Sequence, residues 1–597
     1  MNRLRAFLLC AGLAGCASRD AADLILVNGN VYTMDSAQPR AQAIAVDGEW
    51  IVAVGSNAEI RRYAGAGTRT VDLDGAHVFP GFNDAHVHIQ ATGALLTGAN
   101  LLDVHQAGLF VERIKGAAAR LPAGSWITRG DWGAYEQWAA GSAGGPAGGR
   151  SAGRFTPSRD LIDSVTPEHP VFVRSFDGAM YLANARALEA AGIDARTRAP
   201  QGGTIERDGA GRPTGILRGA AVSLVERVIP PIPFDQRLAQ VRAVLQEARE
   251  GGVTTIQDLT TAEQLQAYRE LQRRGELTAR ILLRPSLDNV VHTASLGLTQ
   301  GFGDHWLRFI GYKAWVDGIM GNSSAMFFRP YDHDPANKGL VRPIMLPEAR
   351  PGAAMSMTES QKYTDFGVGN LERLLNLAVP TALTPHVHAI GDKGVRLLLD
   401  IYERVLTERG LVDSDHRWRV IHAQVVHPND MRRFGQLRLV AEVNPYHVSD
   451  DMRWMEERIG AERSKGAYAF RDLKNAGAVL IFGSDSPGTN AARYYLSPVY
   501  GLYAAVTRQT LKGEPAEGWF PAQRLTMEEA IEAYTKTSAW ASFEEGIKGT
   551  LSVGKLADIA VFDTDLMDVG RSQPARLLEA RTLYTVVGGR VVFQRGR

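Results

Sequence analysis

Two histidines, His86 and His88, close a short apolar run that begins at Val78. On a β-strand this spacing places both imidazole rings on the same face. Neutral imidazole nitrogens are good ligands for Zn²⁺ and similar cations, so the pair is a candidate metal site. Two packed histidines would give the same local pattern, and a metal site therefore needs further ligands at the ends of other strands.

Length and composition are those of a large globular protein. The chain has 597 residues, which is enough for about two to four domains. Hydrophobic residues make up 45% of the chain, charged residues make up 22%, and the formal net charge is only +1. Nothing in this balance points to nucleic acid or an acidic polymer as a partner.

The N-terminal residues read as a targeting signal rather than as part of the fold. Two arginines precede an apolar stretch at residues 6–13, which is too short to span a bilayer. The sequence Leu-Ala-Gly-Cys at 13–16 resembles a bacterial lipobox. Residues 1–16 are therefore predicted to be a lipoprotein signal peptide that ends in the lipidated Cys16. An uncleaved anchor or a mistaken start site is the alternative.

This interpretation sets the expected location and the cysteine chemistry. Cys10 and Cys16 are the only cysteines, so the mature chain would contain no disulfide. Ala17, rather than an aspartate, follows the lipidated cysteine, which favours the periplasmic side of the outer membrane in a Gram-negative cell. The lipid would be the only membrane anchor, because no later apolar run is long enough for a transmembrane helix.

The two ends of the chain share a β-rich texture. Short runs broken by Asn-Gly and Asp-Gly turns occupy residues 22–76, and strands around a Gly-Gly turn occupy residues 546–597. We therefore expect one small domain built from both termini. Between them, residues 77–545 alternate strands with helices, which is typical of an α/β protein with a parallel sheet or a (β/α)₈ barrel.

Nine candidate strands compete for the eight places of such a barrel. They lie at residues 78–88, 171–176, 253–259, 281–285, 309–316, 385–390, 419–426, 439–444 and 479–484. We assign the second of these to an insertion after the first strand, at about residues 89–233. The insertion carries Trp126, Trp132 and Trp138, which either wall a pocket for an apolar acyl or aryl group or form a small core of their own. Its glycine-rich run at 141–149 is predicted to be a flexible surface loop, acting as a linker or as a moving lid.

A helix start follows the last candidate strand. Thr526, with Glu529 three residues later, matches a capping box. We expect a scaffold helix from Met527 to about Trp540.

Five further side chains of metal-binding type stand at or near the ends of the candidate strands. They are Lys313, His386, His388, His422 and Asp485. In a barrel the carboxyl ends of all strands face one mouth, so these residues can converge with the first histidine pair. Each alone has a simpler explanation. Lys313 could pair with Asp317 or Glu206, and Asp485 could cap a helix.

The whole pattern resembles the metal signature of the amidohydrolase superfamily, in which His-x-His is followed by Lys, His, His and Asp on successive strands. The sequence around these residues resembles the amidohydrolase-3 branch of the superfamily, which includes N-substituted formamide deformylase-like proteins. The resemblance covers about residues 24–597. It is carried by residues 80–88, 252–255, 313–318, 388–392, 422–424, 483–487 and 553–558.

The resemblance implies a (β/α)₈ TIM-type barrel and a small β-sandwich formed by both termini. By position it implies two sets of ligands: His86, His88 and Asp485 for a first divalent metal ion, and His388 and His422 for a second. Lys313 would be carbamylated and bridge the ions, and zinc is the expected metal. His386 competes with His388 for one ligand position, and we choose His388 because it is nearer the strand end. An unmodified Lys313 beside a single ion is the alternative.

The same resemblance implies hydrolysis. A divalent metal lowers the pKa of bound water and polarises the scissile carbonyl, and Asp485 would carry a proton from the water to the leaving nitrogen. The predicted enzyme is a metal-dependent hydrolase of amide or N-acyl compounds, acting on carbon–nitrogen bonds other than peptide bonds. A metal-dependent esterase or lactonase, and a non-catalytic ligand-binding lipoprotein, are the alternatives.

Three residues beside the expected ligands are candidates for substrate contacts: His447, Trp315 and Asp317. His447 could equally pack in the core. Ala179 stands where the family phrase usually carries a histidine, which implies different substrate contacts in this chain. Members of the family are often dimers or larger, and a homo-oligomer stays open here.

Overall fold

The computed structural model describes residues 21–104, 106–133, 155–175, 180–321, 323–340, 369–488 and 496–596. Several sequence predictions fall outside these ranges, namely the signal peptide with Cys10 and Cys16, Trp138, the glycine-rich run at 141–149, and Ala179. Among the described residues, none of the helices combines the length and apolar character that crossing a membrane requires.

The described strands and helices alternate through most of the chain. The strands are β1 (Leu24–Val27), β2 (Asn30–Tyr32), β3 (Arg40–Ala41), β4 (Ala43–Asp47), β5 (Trp50–Gly55), β6 (Arg69–Asp72), β7 (His77–Pro80), β8 (Phe82–Val87), β9 (Ile127–Trp132), β10 (Val171–Ser175), β11 (Tyr181–Ala183), β12 (Gly203–Arg207), β13 (Pro213–Gly219), β14 (Val253–Leu259), β15 (Arg280–Arg284), β16 (Leu307–Phe309), β17 (Gly311–Trp315), β18 (Thr384–Ala389), β19 (Arg419–His422), β20 (Val440–Val443), β21 (Val479–Phe482), β22 (Ile559–Phe562), β23 (Thr582–Val587) and β24 (Arg590–Gln594).

The α-helices described are α1 (Asn57–Ile60), α2 (Ile89–Thr97), α3 (Ala107–Arg120), α4 (Ala185–Ala190), α5 (Ser223–Glu226), α6 (Phe234–Glu250), α7 (Ala262–Arg273), α8 (Val290–Ser295), α9 (Asp392–Glu408), α10 (Met431–Gln436), α11 (Pro445–Asp451), α12 (Met455–Ser464), α13 (Phe470–Asn475), α14 (Pro498–Thr507), α15 (Met527–Tyr534), α16 (Lys536–Ala541) and α17 (Leu566–Ser572).

Two parallel sheets form the centre of the molecule. Their strand orders are β16-β15-β14-β8 and β17-β18-β19-β20-β21. Only Ile310 separates β16 from β17, and isolated parallel bridges join Val87 to Ser486 and Ser286 to Lys313. The predicted α/β class is confirmed, with the parallel strands divided between two hydrogen-bonded sheets.

The apolar run before the first histidine pair contributes to two sheets, whereas the sequence predicted one strand at 78–88. β7 pairs with β2 and β22, and β8 pairs with β14. Gly81 stands between them, and a Cβ there would lie 2.2 Å from the side chain of Thr254. The change of sheet therefore occurs at a position too crowded for any side chain.

Both ends of the chain contribute to the remaining large sheet. Its order is β24-β23-β22-β7-β2-β3, and a neighbouring sheet has the order β5-β4-β1-β6. Buried side chains of both sheets share one apolar cluster, which includes Leu26, Ile44, Val78, Ile559 and Val586. Burial of this apolar surface holds the two termini together.

A buried ion pair links this terminal sheet to the parallel strands. Arg280 at the start of β15 donates from Nε to Asp558 Oδ2 at 2.8 Å and from Nη2 to Asp558 Oδ1 at 3.0 Å. The Gly588 amide donates to the same carboxylate at 3.0 Å. Both charged side chains are almost fully buried, so each depends on the other for solvation.

The insertion folds around its own sheet, with the order β12-β13-β11-β10-β9. The candidate strand at 171–176 is β10 and belongs to this sheet, as assigned. Trp132 is fully buried in a core with Phe110, and Trp126 packs against a second core. Trp132 thus forms the core of the insertion, and the interpretation of it as a pocket wall is wrong.

The capping box at Thr526 is confirmed. Thr526 Oγ1 accepts from the Glu529 amide, and the Glu529 carboxylate accepts from the Thr526 amide. The helix ends earlier than predicted, because Thr535 has non-helical backbone angles and separates α15 from α16.

We expect Thr526→Ala to lower the free energy of unfolding by about 1 kcal/mol. The Glu529 amide loses its side-chain acceptor, and the Glu529 carboxylate is held less firmly at the backbone amide of residue 526. Urea unfolding would measure this change. Thr526→Ser keeps the hydroxyl acceptor and should stay close to the parent protein. Equal losses in both variants would contradict a capping role.

Candidate metal centre

The first histidine pair and Asp485 meet at one point of the parallel strands. His86 lies on β8, His88 directly follows it, and Asp485 lies three residues beyond β21. Asp485 Oδ1 is 3.1 Å from His88 Nε2 and 3.3 Å from His86 Nε2. Ligand atoms of all three residues lie within 4.8 Å of one another, which is the spacing that a single metal ion requires.

The backbone around these residues is tightly specified. The Asp485 amide donates to His86 O at 2.7 Å, and the His88 amide donates to Ser486 O at 2.8 Å. Asp485 has φ 55°, a left-handed conformation that costs a non-glycine residue about 1 to 3 kcal/mol. A Cβ at Gly483 would lie 2.5 Å from the backbone nitrogen of His86, so the ends of β8 and β21 approach as closely as backbones allow.

A second group shares Asp485. His422, at the end of β19, and His447, on α11, form it together with the same carboxylate. His447 Nε2 is buried, has no hydrogen-bond partner among the described residues, and lies 3.9 Å from Asp485 Oδ2. A buried and unpartnered ring nitrogen that faces a carboxylate fits a missing cation.

The structure places His388 beside His422, and its role as a ligand stays a prediction. Its ring lies 4.5 Å from that of His422, so the predicted pair is adjacent. However, His388 Nε2 is 2.9 Å from Gly318 O, and His388 belongs to neither of the two ligand groups. His447, predicted as a substrate contact, lies in the second group of possible ligands. Its position directly after the strand end at 439–444 was the sequence signal for this role.

His386 on β18 and Lys313 on β17 belong to neither ligand group. His386 is fully buried, and its Nε2 is 2.7 Å from Thr384 Oγ1, which agrees with the choice of His388 over His386 as the candidate ligand. Lys313 is almost fully buried on β17, with Nζ 3.1 Å from His86 Nε2 and 5.4 Å from the centre of the Trp315 ring. The alternative partner Glu206 instead lies 3.6 Å from Arg218.

Asp317 has a structural place rather than a free carboxylate at the pocket. It is fully buried and accepts from the amides of Met326 at 2.8 Å, Ile390 at 3.0 Å and Gly391 at 2.9 Å. These bonds fix the chain that follows β18, so its predicted substrate contact is not supported. Trp315 is half-buried beside Lys313 and keeps a place compatible with substrate.

The electrostatics favour a ligand-competent protonation state. Burial, followed by the charge of Lys313, lowers the pKa of His86 well below its usual value, and burial lowers the pKa of His422 to about 3. Burial alone would raise the pKa of Asp485, but His86 and the other neighbouring histidines hold it well below its usual range. At neutral pH His86 and His422 are therefore neutral and Asp485 is ionised, which is the form in which each binds a metal.

These donors fit a divalent transition metal. Imidazole nitrogen and carboxylate oxygen are the usual zinc ligands, and the buried orphan nitrogen of His447 supports a cation at this point. Access is limited, because the side chains of Asp485 and His88 are only 19% and 29% exposed.

Comparison with known proteins agrees with this arrangement. The profile of the amidohydrolase family, in its third branch, matches residues 69–593. The protein LONG AFTER FAR-RED 3 of Arabidopsis thaliana is 34% identical over 585 residues, covering 96% of this chain and 92% of the plant protein. The N-substituted formamide deformylase of Arthrobacter pascens is 26% identical, with 96% and 98% of the two chains covered.

A solved structure also shares the fold. An uncharacterized metal-dependent hydrolase from Pyrococcus horikoshii OT3 superposes with a TM-score of 0.70 at 22% identity, covering 92% of this chain and 99% of that chain.

Proposed function

This chain belongs to the amidohydrolase family, in the amidohydrolase-3 branch, and on that premise we propose that it is a metal-dependent hydrolase of carbon–nitrogen bonds in small amide-like molecules. The observation that carries the proposal is the convergence of His86, His88 and Asp485, with Asp485 shared by a second histidine group. The similarity to the Arthrobacter pascens deformylase supports an amide or N-acyl substrate.

The fold that we propose for this site is a (β/α)₈ barrel made from both parallel sheets. β16 and β17 count as one interrupted strand, which gives eight chain passes. Two isolated bridges between the sheets support this proposal: Val87, at the end of β8, pairs with Ser486 after β21, and Ser286, after β15, pairs with Lys313 on β17. The described ligands lie at the carboxyl ends of the strands, where barrel enzymes place their active sites.

The chain offers positions for one or two divalent ions, with zinc as the proposed metal. His86, His88 and Asp485 would hold one ion, and His422 and His447 would hold another with the shared carboxylate. When bound, such an ion supplies Lewis acidity, which polarises a carbonyl and lowers the pKa of water towards neutrality.

Asp485 has the properties of the proton carrier. Its carboxylate is ionised at neutral pH and is the partly exposed member of the ligand groups together with His88. It can accept a proton at Oδ2 and deliver it to the leaving nitrogen, which must be protonated to depart. In a site with a single ion at His86, His88 and Asp485, His447 Nε2, at 3.9 Å from Oδ2, would instead be placed to orient this oxygen or a substrate carbonyl.

Removal of metal tests the proposal. We expect a chelator to abolish hydrolysis of amide substrates and Zn²⁺ or a similar ion to restore it, since the Lewis acid is lost and regained. Elemental mass spectrometry should find about one to two ions per chain, and fewer after Lys313→Ala or His88→Ala. The exposed His292 on α8, which belongs to neither ligand group, provides a matched control as His292→Ala.

Three outcomes would change the proposal. Full turnover by metal-free protein would exclude a metal-dependent mechanism. Turnover of ester analogues without turnover of the matched amides would replace an amidase with the esterase or lactonase alternative, while tight binding without product would indicate a binding protein.

A further inference from the structure

The strand β20 lies beside both ligand groups, and none of its own residues belongs to either group. β20 (Val440–Val443) and the following Asn444 carry two polar side chains, Glu442 and Asn444. Residues two apart on a strand point to the same face, so both side chains face the interior of the parallel strands. Glu442 is fully buried and Asn444 is almost fully buried, which makes each of them expensive without a partner.

Asn444 fixes the orientation of His422. Its Nδ2 donates to Gly483 O at 3.0 Å, so its Oδ1 must be the atom that lies 2.7 Å from His422 Nδ1. An amide oxygen only accepts, and therefore His422 Nδ1 carries the hydrogen. The free lone pair of the ring is then on Nε2, the nitrogen that a metal would use.

Glu442 faces Nδ1 of His86 in the same way as Asn444 faces Nδ1 of His422. Glu442 Oε1 is 2.9 Å from His86 Nδ1, at an angle that departs from an aligned hydrogen bond, and no other described residue accepts from that nitrogen. A carboxylate oxygen favours hydrogen on Nδ1, which leaves the lone pair on Nε2. His86 Nε2 is the atom that lies 3.3 Å from Asp485 Oδ1.

Two arginines hold the Glu442 carboxylate in place and ionised. Arg284 Nη1 donates to Oε1 at 2.8 Å, and Arg419 Nη1 donates to Oε2 at 3.0 Å. Burial raises the pKa of Glu442, but the two arginines outweigh it and bring the pKa to about 2. Gln257 and Ser542 complete this polar layer through further bonds to Arg419.

Stability alone does not explain such a layer. Buried ion clusters are often no more stable than apolar side chains of the same volume, because desolvation offsets the attraction between the charges. The layer does have one feature that apolar side chains cannot supply, which is an anionic oxygen at His86. The matching acceptor at His422 comes from the same face of the same strand.

We propose that Glu442 and Asn444 are positioning residues that hold the ring nitrogens Nδ1 of His86 and His422 as donors and thereby direct both Nε2 atoms to the metal. This inference rests on the proposed metal site. It predicts that the two side chains set metal affinity without contacting the metal or the substrate.

The test is the zinc dissociation constant of the full chain, measured by competition with a chromophoric chelator. We expect Glu442→Gln and Asn444→Leu each to weaken zinc binding about 10- to 100-fold. Asn444→Asp keeps an acceptor for His422 and should bind zinc within a few-fold of the parent. Ser542→Ala is the control, since it perturbs the same polar layer without touching a histidine.

Thermal unfolding of the metal-free variants separates positioning from general damage. Weaker zinc binding by Glu442→Gln or Asn444→Leu, with Asn444→Asp rescued and Ser542→Ala unchanged, supports the inference. If both variants unfold earlier yet bind zinc like the parent, the inference is overturned and the proposed function stands. If the parent binds no metal, both fall.

Discussion

Asp485→Asn is expected to lower the rate of amide hydrolysis about 10³-fold or more, the upper part of the range for loss of a proton-transfer group. The carboxylate belongs to both ligand groups, and an amide is a weaker ligand that cannot accept the proton. Steady-state kinetics on a cleaved amide would measure the loss, and elemental analysis of the same samples would show how much of it follows from lost metal.

Asp160→Asn is the matched control for this substitution. Its side chain is 80% exposed, and it lies outside both ligand groups, so its turnover should equal that of the parent. A near-normal rate in Asp485→Asn would remove Asp485 from the mechanism, whatever its position in the structure.

Asp558→Ala is expected to lower the free energy of unfolding by about 3 kcal/mol, the lower end of the usual cost of breaking a buried ion pair, because Arg280 keeps its bonds to Glu49 and to His305 O. Arg280 would keep its position on β15 but lose two hydrogen bonds. Urea unfolding would measure the change. Glu462→Ala, which removes an ion pair with side chains 59% and 78% exposed, should cost no more than about 1 kcal/mol.

The contribution of Asp558 to the free energy of unfolding should also depend on pH. Burial raises the pKa of Asp558, but Arg280 outweighs burial and keeps it below its usual value. A carboxyl whose pKa is lower in the folded state stabilises the protein above its unfolded pKa, at about pH 4, and loses this contribution as the pH falls further. The difference between the parent and Asp558→Ala should therefore be constant near neutrality and shrink in acid. A difference that grows in acid would contradict the ion pair.

The sequence predicted those parts of the fold that depend on local pattern. Apolar runs and the turns between them gave the parallel strands, and the similar texture of the two ends anticipated a sheet with strands from both. The His-x-His pair and Asp485 were placed together correctly because each ends an apolar run. The capping box was found because its signal spans only Thr526 to Glu529.

The other parts depend on contacts between distant segments. His388 lies on β18 and His447 follows β20, and which of them stands beside Asp485 depends on how these distant segments pack. Gly81 interrupts the first strand because Thr254 lies against it. Glu442 was overlooked, although a charged residue between Val440 and Val443 is as unusual as Lys313 on its own strand.

The pairing of β7 with β22 has a consequence for biosynthesis. β7 leads directly into β8, which carries His86, yet its neighbour β22 begins only at Ile559. Nearly the whole chain must therefore leave the ribosome before β7, which precedes His86, can pair with β22. Such distant pairings slow folding, and metal acquisition would follow completion of the polypeptide instead of accompanying its emergence.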